Sequence, residues 1–387
     1  MVHMDLTLDE TQKMVQKSTR RFCTEVLGPW APILDREHRF LPDDIVEEMG
    51  RVGLWGIQAP EQYGGAALDT VSYAIAIEEI GRVCGSTALS TTVHNSVCLA
   101  PLIKFGSDYL KDKYAEDLAT GQKIGGFTVT EPNAGSDAAG MQTMAIADGD
   151  EFIVTGQKTF VTNGGNGEVF LVGAKHDKSK GSRGIGIFII DKDMVGFKVG
   201  KIEKKLGMRG NLTSELYFDH VRVPKENVLG DLKSGFKVAM KTLDMGRIGI
   251  AAQALGIGNA ALEAAAKYAN ERKQFGRPIG KFQGVLFKLA EMKTDLEAAR
   301  LLIYKAASLK DKKLPYTKEA SMAKYFAADR AMKACREALQ IFGGYGYCME
   351  LPVERYFRDV KVTEIYEGTS EIMKLVIGNA LLREFKK

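Results

Sequence analysis

Glu367 is the residue of this chain whose type and surroundings best suit the removal of a proton. It lies between Tyr366 and Gly368, with isoleucines nearby. A carboxylate held away from water among such neighbours has its pKa raised towards neutrality, as a general base at pH 7 requires. The next residues, Thr369 to Glu371, also have the pattern of a helix N-cap. Locally, a capping role is at least as good an interpretation as a catalytic one.

Two further stretches carry groups suited to a flat, polar ligand. Phe127 to Asp137 is predicted to be a strand that ends at Pro132 and enters a turn of small polar residues, whose N–H groups and hydroxyls suit an anion or a heterocycle. In Lys158 to Gly165, Phe160 and Thr162 alternate and are predicted to share one strand face, where they could stack on a ring and hydrogen-bond it. An ordinary loop explains the first stretch equally well, and a plain strand and turn explains the second better.

One glycine pattern matches a dinucleotide site but lacks its context. Gly256, Gly258 and Ala261 have the fingerprint spacing, which needs a preceding strand and an acidic residue about 20 positions later. The residues before it, Met245 to Leu255, continue an alanine-rich helical pattern, so close helix packing is the better interpretation. The five histidines are isolated, and neither a histidine-based triad nor a metal site is predicted.

Hydrophobic periodicity predicts the elements that position these residues. Apolar residues recur every three or four positions in the first and last thirds of the chain and every second position in the middle third. We therefore expect an α+β, multi-domain protein with a helical N-terminal domain (1–125), a middle β domain (126–235) and a C-terminal helical domain (236–387). The predicted strands include Glu151–Thr155, Val169–Val172, Ile185–Ile190 and Glu215–Phe218.

Composition excludes several classes of protein. The 387 residues carry 53 Lys+Arg and 49 Asp+Glu, and a net charge of +4 gives no support to a nucleic-acid partner. Five scattered cysteines argue against a disulfide framework. No membrane span is predicted, because the longest uncharged run, Val83 to Ile103, is interrupted by polar residues. The first residues, Met1 to Leu6, have no leader pattern, so we expect a cytoplasmic bacterial protein, or a mitochondrial matrix protein if a leader was removed.

Taken together and in order, the three stretches resemble the acyl-CoA dehydrogenase family of flavoproteins, in particular its short-chain (butyryl-CoA dehydrogenase-like) members. The resemblance covers essentially the whole chain and implies a helical N-terminal domain, an antiparallel β-barrel-like middle domain and a C-terminal four-helix bundle. It also implies non-covalently bound FAD and, usually, a homotetramer. Further matching segments are Glu61–Gly65, Leu243–Ile248, Glu271–Ile279 and Gln340–Gly346.

The resemblance implies two groups of FAD-binding residues. Those expected around the ring and ribityl chain are Phe127, Val129, Thr130, Gly135, Ser136, Phe160, Val161 and Thr162, together with Thr369 and Glu371. In the family a neighbouring subunit binds the adenine and pyrophosphate end, and the resemblance implies the same here. The residue types fit, because a permanent guanidinium suits a pyrophosphate and glycines allow close backbone approach. The residues expected to bind this end are Arg272, Phe275, Gln283, Gln340, Gly343 and Gly344.

The same resemblance implies the reaction. Glu367 matches the catalytic base, which would remove the pro-R proton at Cα of a short-chain acyl-CoA while a hydride leaves Cβ for flavin N5, giving the trans-2-enoyl-CoA. The Glu367 N–H and a ribityl hydroxyl would stabilise the developing enolate. An electron-transferring flavoprotein would then accept the electrons. The residues that match acyl-CoA contacts are Ser136, Asp244, Arg247, Tyr366 and Gly368.

Two features bear on the substrate. Some family members carry the base on the helix of Asp244, where this chain has Gly246, which counts against the isovaleryl and long-chain types. The segment Ser86 to Ser96, expected to approach the acyl tail, has no Lys or Arg, so a dicarboxylyl substrate is disfavoured. Short straight acyl chains are expected, and branched or alicyclic acyl groups are the alternative.

Three rival functions fit less well. Acyl-CoA oxidases are usually much longer, with an additional C-terminal domain. A DNA-associated flavoprotein of the same superfamily would need a strongly basic surface, whereas the net charge is +4. An acyl-CoA-binding assembly factor without turnover would not need Glu367.

Overall fold

The structure is a computed structural model that describes residues 7–386. Residues 1–6, on which the prediction about a targeting segment rests, and Lys387 lie outside the described residues. Helical, β and helical portions follow one another in the predicted order: the last helix of the first portion ends at Thr120, the first strand begins at Gly125, and long helices resume at Gly235.

Seven helices make up the N-terminal portion of the described chain: α1 (Glu10–Phe22), α2 (Ala31–Glu37), α3 (Asp43–Arg51), α4 (Thr70–Val83), α5 (Gly85–Val93), α6 (Ala100–Phe105) and α7 (Asp108–Thr120). Polar N-caps set three of their starts, because the side chains of Asp9, Asp69 and Ser107 accept the free N–H groups of α1, α4 and α7. A π-helical turn at His94–Leu99 joins α5 to α6. Nearly every residue of α4 and α5 is buried, so these two helices form part of the protein core.

The middle portion is one curled sheet of seven strands: β1 (Gly125–Thr128), β2 (Met144–Asp148), β3 (Glu151–Val161), β4 (Val169–Lys175), β5 (Ile185–Asp191), β6 (Phe197–Ile202) and β7 (Ser214–Pro224). The spatial order is β1-β4-β2-β3-β7-β6, with β5 paired to β4. Most pairs are antiparallel, as predicted, while β1 and β2 run parallel to β4. The central strands β4 and β5 are buried on both faces, which is why they read as continuous apolar runs.

The C-terminal portion consists of α8 (Gly235–Glu271), a small hairpin of β8 (Lys273–Gln274) and β9 (Arg277–Pro278), α9 (Gln283–Asp311), α10 (Thr317–Phe342), α11 (Val353–Val360) and α12 (Ser370–Glu384). Glycines let α8 approach its neighbours closely. A Cβ at Gly256 would overlap the backbone of Glu78 on α4, and one at Gly258 would crowd Leu296 and Ala331. The glycine pattern therefore serves helix packing. It lies inside α8, whereas a dinucleotide site would require a strand directly before it.

The segment that contains α8 is long and apolar enough to cross a membrane. Over the most apolar window of Leu232–Glu271 the mean hydropathy is 1.2, yet 83% of that window is buried inside the structure. No other helix within residues 7–386 meets the same criteria. Because α8 packs against α4, α9 and α10, its apolar length is explained by its place in the protein core.

Two buried polar side chains join the helical portion to the sheet. Asn163, directly after β3, donates to the carbonyl oxygens of Ser90 (3.3 Å) and Gly125 (3.0 Å). His94 lies between the Leu118 carbonyl, 2.8 Å from its Nε2, and the Gly125 N–H, which donates to its Nδ1 over 2.9 Å. Burial lowers the pKa of His94 to about 4, so the ring is neutral and its proton sits on Nε2. These contacts fix the start of β1, the strand that leads to Phe127.

Candidate active site

Glu367 lies in the short connection before α12, and its carboxylate is buried. Its backbone is left-handed, with φ 51°, and Gly368 follows with φ 99°. Both carboxylate oxygens are inaccessible and have no hydrogen-bond partner among the described residues. Burial raises the pKa of Glu367 to about 7, against the opposing fields of Lys324 and Arg247. A carboxyl group that titrates near neutrality with both oxygens free is suited to accept a proton from a bound molecule.

A glycine on α8 faces this carboxylate. A Cβ at Gly246 would overlap Oε2 of Glu367 and approach Val97 to 3.0 Å. One turn further along α8, a Cβ at Gly249 would overlap the buried hydroxyl of Tyr73. The helix surface opposite Glu367 is therefore made of backbone because no side chain fits there.

Tyr366 and Gly368, on either side of the acid, are each held by a buried partner. The Tyr366 hydroxyl donates to Oε1 of Gln253 over 2.6 Å, and Gln253 donates in turn to the Gly85 carbonyl. The Gly368 carbonyl accepts a hydrogen bond of 2.7 Å from Nζ of Lys324. These contacts fix the backbone of the acid from both sides.

Asp244 and Arg247 form a buried ion pair beside Gly246. Arg247 Nη1 lies 2.6 Å from Asp244 Oδ1, and Thr317 donates to the other Asp244 oxygen over 2.6 Å. Burial raises the pKa of Asp244 and lowers that of Arg247. The Arg247 Nε is buried and has no partner within the described chain, which leaves a donor free at the site.

The two stretches predicted to bind a heterocycle lie side by side. The Thr159 N–H donates to the Thr130 carbonyl over 3.1 Å, and Lys158 Nζ lies 2.7 Å from Glu131 Oε1 in a buried ion pair. Burial opposes the charge of Glu131, but Lys158 and the hydrogen bonds it accepts hold its pKa below the usual value. The ion pair therefore locks the turn after β1 onto the end of β3.

The residues of these two stretches, 127–137 and 158–165, differ in their exposure to solvent. Gly135 and Ser136 are exposed in the turn, Phe127 and Thr130 are half-buried, and the Thr128 hydroxyl is buried without a partner within residues 7–386. The side chains of Val129 and Val161 are buried, so only their backbone is available to a ligand.

The predicted alternation at Phe160 is wrong in detail. Phe160 has a left-handed backbone, with φ 54°, inside an irregularity between Lys158 and Val161. The strand ends at Val161, so Thr162 lies in the following turn and does not share a strand face with Phe160. The irregularity turns the Phe160 ring outward, where it is 65% exposed. Similarly, β1 ends at Thr128 and not at Pro132.

A second group of predicted residues borders a separate groove. Arg272, Gly343 and Gly344 line a surface cavity of about 480 Å³ together with Tyr345, whose ring lies 5.6 Å from the guanidinium. A Cβ at either glycine would meet nothing within 4 Å, so the backbone there is open to a ligand. Phe275, in the β8–β9 turn, is 93% exposed.

This second group is apart from the first. Gln283, at the start of α9, and Gln340 are also exposed. No hydrogen bond, ion pair or ring contact between described residues joins Arg272, Phe275 or these two glutamines to the stretches at 127–136 and 158–162. Among the described residues, the two predicted FAD-binding groups therefore make no direct contact within one chain.

Thr369 has the capping role that the sequence left open. Its side chain accepts the N–H of Ile372 at the start of α12, over 3.3 Å. Glu371 lies in the first turn of that helix and is exposed, and hydrogen bonds from the helix start lower its pKa. The N-cap and a ligand-binding role are compatible, because both residues remain partly accessible.

Sequence reasoning missed a cavity of about 300 Å³ near the glycine that faces the acid. Its lining includes Met245, the chain neighbour of Gly246, and Ser96, the chain neighbour of Val97, which also lies close to Gly246. Other lining residues include Gln58, Asp69, Lys104, Lys241, Thr242, Lys310, Asp311 and Tyr316. The charged residues among them belong to four separate parts of the chain, so no local sequence motif could predict that they line one cavity.

Sequence reasoning also missed a polar stripe on α10, formed by Thr317, Ser321 and Lys324. Thr317 binds Asp244, Ser321 lies 3.3 Å from Arg247 Nη1, and Lys324 binds Gly368. Spacings of four and three residues place the three on one helix face. That spacing, within an alanine-rich helix, is the signal that could have found them.

The arrangement is a buried carboxyl group with two free oxygens opposite bare helix backbone. Comparison with known proteins identifies the family. Residues 9–122, 126–221 and 233–382 match the models of the acyl-CoA dehydrogenase N-terminal, middle and C-terminal domains. The chain therefore belongs to the acyl-CoA dehydrogenase family, and its fold is the expected one.

Individual relatives support this assignment. A short-chain-specific acyl-CoA dehydrogenase of Clostridium acetobutylicum is 48% identical over 98% of this chain and all of its own length. Butyryl-CoA dehydrogenase from Megasphaera elsdenii superimposes with a TM-score of 0.96 at 44% identity, covering 98% of this chain and 100% of that one. A chain in a structure described as the electron transferring flavoprotein of Acidaminococcus fermentans gives a TM-score of 0.96 at 47% identity with the same coverage.

Proposed function

We propose that this protein converts a short-chain acyl-CoA into its trans-2-enoyl-CoA, with Glu367 as the base that removes the Cα proton. The observation that carries the proposal is the buried Glu367 carboxylate, whose two oxygens are free and whose pKa is about 7. In water the Cα–H of a thioester is a weak acid. A desolvated carboxylate, held still and exposed only to the bound substrate, is a stronger base there than in water.

The residues of the chain fit FAD as the cofactor of this family. An exposed Phe160 ring and an unpartnered Thr128 hydroxyl lie beside the open turn at Gly135 and Ser136, which suits stacking on a flat ring and hydrogen bonds to its edge. When bound there, FAD would supply the acceptor at N5 for the hydride from Cβ. Of the residues proposed here, Phe127, Thr130 and Thr162 would line the site with their side chains, and Val129 and Val161 with backbone alone.

The groove at Arg272 would hold the phosphate end of an FAD bound to a neighbouring subunit. A guanidinium next to two glycines with open backbone is suited to a pyrophosphate. Its separation from Phe160 within one chain favours this division between subunits. We propose the same role for Phe275, Gln283 and Gln340 and a homotetrameric assembly, which is typical of the family.

The chain's own groups would position the thioester against Glu367. Its carbonyl would be held by the Glu367 N–H and a ribityl hydroxyl, which would stabilise the enolate as the proton leaves Cα. The Asp244–Arg247 pair, with its free Nε donor, and Ser136 would contact the CoA portion. Tyr366 and Gly368, each fixed by a buried partner, would border the reacting carbons. Thr369 and Glu371 would lie next to the cofactor at the start of α12.

The expected acyl group is short and uncharged. The segment Ser86 to Ser96 is buried and has no cation to pair with a second carboxylate. The Asn95 side chain is used internally, because it accepts the Ile57 N–H and donates to the Leu54 and Thr91 carbonyls. Relatives named for short-chain specificity support a short straight chain, and a branched or alicyclic group is the second candidate.

Three further assignments belong to this proposal, and one rival remains. Electrons would pass to an electron-transferring flavoprotein, in keeping with the structural relative from Acidaminococcus fermentans. The protein would act in the bacterial cytoplasm or the mitochondrial matrix. One curated relative comes from a bacterium, and another is named as mitochondrial. The domain boundaries would be 1–125, 126–235 and 236–387. A DNA-associated role is the weaker candidate, because the net charge is only +4.

The decisive experiment is anaerobic bleaching of the flavin by a panel of acyl-CoA thioesters from C4 to C12, with branched, cyclic and dicarboxylyl members. We expect a yellow protein that the short straight thioesters bleach fastest. A colourless protein that FAD does not reconstitute would refute the cofactor, and bleaching by none of the panel would refute the reaction.

The variant Glu367→Gln tests the base. It should retain FAD and bind acyl-CoA yet bleach at least 1,000-fold more slowly, because an amide does not accept the proton; the size is roughly that of losing general-base catalysis. The matched control is Glu364→Gln, three residues earlier, whose carboxylate is already paired with Lys361 at 2.6 Å. Normal bleaching by Glu367→Gln would place the base elsewhere.

A further inference from the structure

Lys324 is a buried cation whose only hydrogen bond within the described chain is to a backbone carbonyl. Its side chain is fully buried on α10, Nζ donates to the Gly368 carbonyl over 2.7 Å, and no described carboxylate lies within ion-pairing distance of it. Burial lowers the pKa of Lys324 to about 8. Keeping an ammonium in such a place costs stability, since a hydrophobic residue of the same volume would pack there without desolvating a charge. A functional reason for its presence is therefore needed.

The carbonyl it binds belongs to a backbone segment that needs support. Glu367 has a left-handed backbone, which is strained for a residue with a Cβ, and Gly368 continues with φ 99°. At φ 99° a residue with a Cβ would be strained at position 368, so the segment gains no support from a side chain there. The hydrogen bond from Lys324 lies one residue after the acid, and the Thr369 N-cap follows it.

Lys324 also supplies a positive charge that acts on Glu367 and that no carboxylate of the described chain neutralises in an ion pair. The two cations whose fields act on Glu367 are Lys324 and Arg247, and Arg247 is already paired with Asp244 at 2.6 Å. The charged groups that act on Lys324 in turn are Glu367, Arg247, Glu364 and Glu371. Glu364 and Glu371 act on Lys324 less strongly than Glu367 does. Glu364 is paired with Lys361, and Glu371 is exposed. Tyr73 and Tyr366, the titratable hydroxyls near Glu367, are uncharged at neutral pH, and burial raises the pKa of each further above its ordinary value.

We propose that Lys324 is a positioning residue for the base: its ammonium holds the Glu367–Gly368 backbone in place and supplies the charge that keeps the Glu367 carboxyl ionised near neutral pH. The inference deepens the proposed function and rests on it, because it concerns the same proton transfer. Lys324 does not touch the substrate. It acts through the backbone and the electrostatic field of Glu367.

The test compares two neutral variants, Lys324→Met and Lys324→Gln, with the control Lys318→Met, a lysine at the outer side of the same helix that pairs with Glu384. The first readout needs no turnover: the carboxyl band of Glu367, assigned by its loss in Glu367→Gln, is titrated by infrared spectroscopy. The wild type should titrate near pH 7. Without the ammonium the midpoint should rise by about one pH unit, the lower end of the effect of a buried opposite charge.

The second readout is the pH profile of flavin bleaching at saturating substrate. With a midpoint moved from about 7 to about 8, the ionised fraction of Glu367 at pH 7 falls from about one half to about one tenth, so bleaching should be about fivefold slower. At pH 9 Lys324→Gln, which can still donate to Gly368, should recover nearly the wild-type rate. Lys324→Met, which cannot, should stay slower than Lys324→Gln.

The outcomes separate the inference from the proposed function. An unchanged carboxyl midpoint in both variants, or a rate that is equally low at every pH, overturns the role of Lys324 while leaving the dehydrogenase intact. A wild-type protein that no thioester bleaches refutes the function itself, and the infrared titration still reports whether Lys324 sets the ionisation of Glu367. If Lys324→Met does not fold, Lys324→Gln supplies both readouts.

Discussion

Protonation of His94 should weaken the junction between the helical portion and the sheet at mildly acidic pH. The Nδ1 of His94 accepts the Gly125 N–H, so a second proton on the ring would meet a donor and break that bond. The pKa of His94 falls from its ordinary value of 6.5 to about 4 in the fold because the ring is fully buried. Since the unfolded chain takes up the proton first, stability is complete above pH 6.5 and is lost as the pH falls towards 4.

The size of the effect follows from the two pKa values. A difference of about 2.5 pH units is worth about 3 kcal/mol in total, and about 2 kcal/mol of it is lost between pH 7.5 and pH 5. Asp359 is buried and has its pKa raised to about 6, so it contributes in the opposite direction over part of this range. The contribution of His94 is therefore measured as a difference between variants and not from the wild type alone.

The assay compares wild type, His94→Gln and the exposed control His220→Gln in urea at pH 7.5 and pH 5. Trp55 lies 5.2 Å from His94, edge to face, so tryptophan fluorescence reports on this junction. His94→Gln should be less stable at pH 7.5 but should lose about 2 kcal/mol less than the wild type on acidification. Hydrogen exchange at the Gly125 amide should accelerate with acid in the wild type only, after correction for intrinsic rates. An equal acid loss in wild type and His94→Gln would refute the reasoning.

Two further predictions concern the active site and the second groove. Gly246→Ala should slow bleaching on the order of 100-fold, because its Cβ would displace the Glu367 carboxylate, whereas Gly378→Ala, with open space around it, should not; an equal rate for both would contradict the geometry. Arg272→Ala should weaken FAD retention, measured by equilibrium dialysis against Arg336→Ala, an exposed arginine of α10, and unchanged flavin affinity would argue against a pyrophosphate role.

Much of the fold was predictable because its hydrophobic periodicity is strong. The strand runs at Glu151, Val169, Ile185 and Glu215 lie within β3, β4, β5 and β7. The parallel pairing of β1 with β4 was not predictable, because register between distant strands depends on side-chain packing that no local pattern records. The helix-packing role of Gly256 was predictable, because the residues before it continue an alanine-rich helical pattern and a dinucleotide-binding loop would need a strand there.

The candidate site was predictable where a short motif carries it and not where distant elements meet. The neighbours of Glu367 left a capping role as good an interpretation as a catalytic one, and only the ordered set of motifs singled it out as the candidate base. Phe160 was misplaced because a positive φ at a phenylalanine contradicts its own preference and is imposed by the surrounding sheet. Lys324 was missed because a lysine on a helix is normally solvated, and only the packing of α10 against the segment before α12 buries it.

The steric exclusion between Gly246 and Glu367 limits how this site can change in evolution. A side chain at position 246 and the carboxylate of Glu367 would need the same space, so the two places for a base are alternatives and a chain cannot carry both without displacing the Glu367 carboxylate. A lineage that relocated its base from one place to the other would have to lose the first before the second became useful. Single substitutions therefore pass through an inactive protein, and the location of the base should separate whole branches of such proteins rather than vary among close relatives.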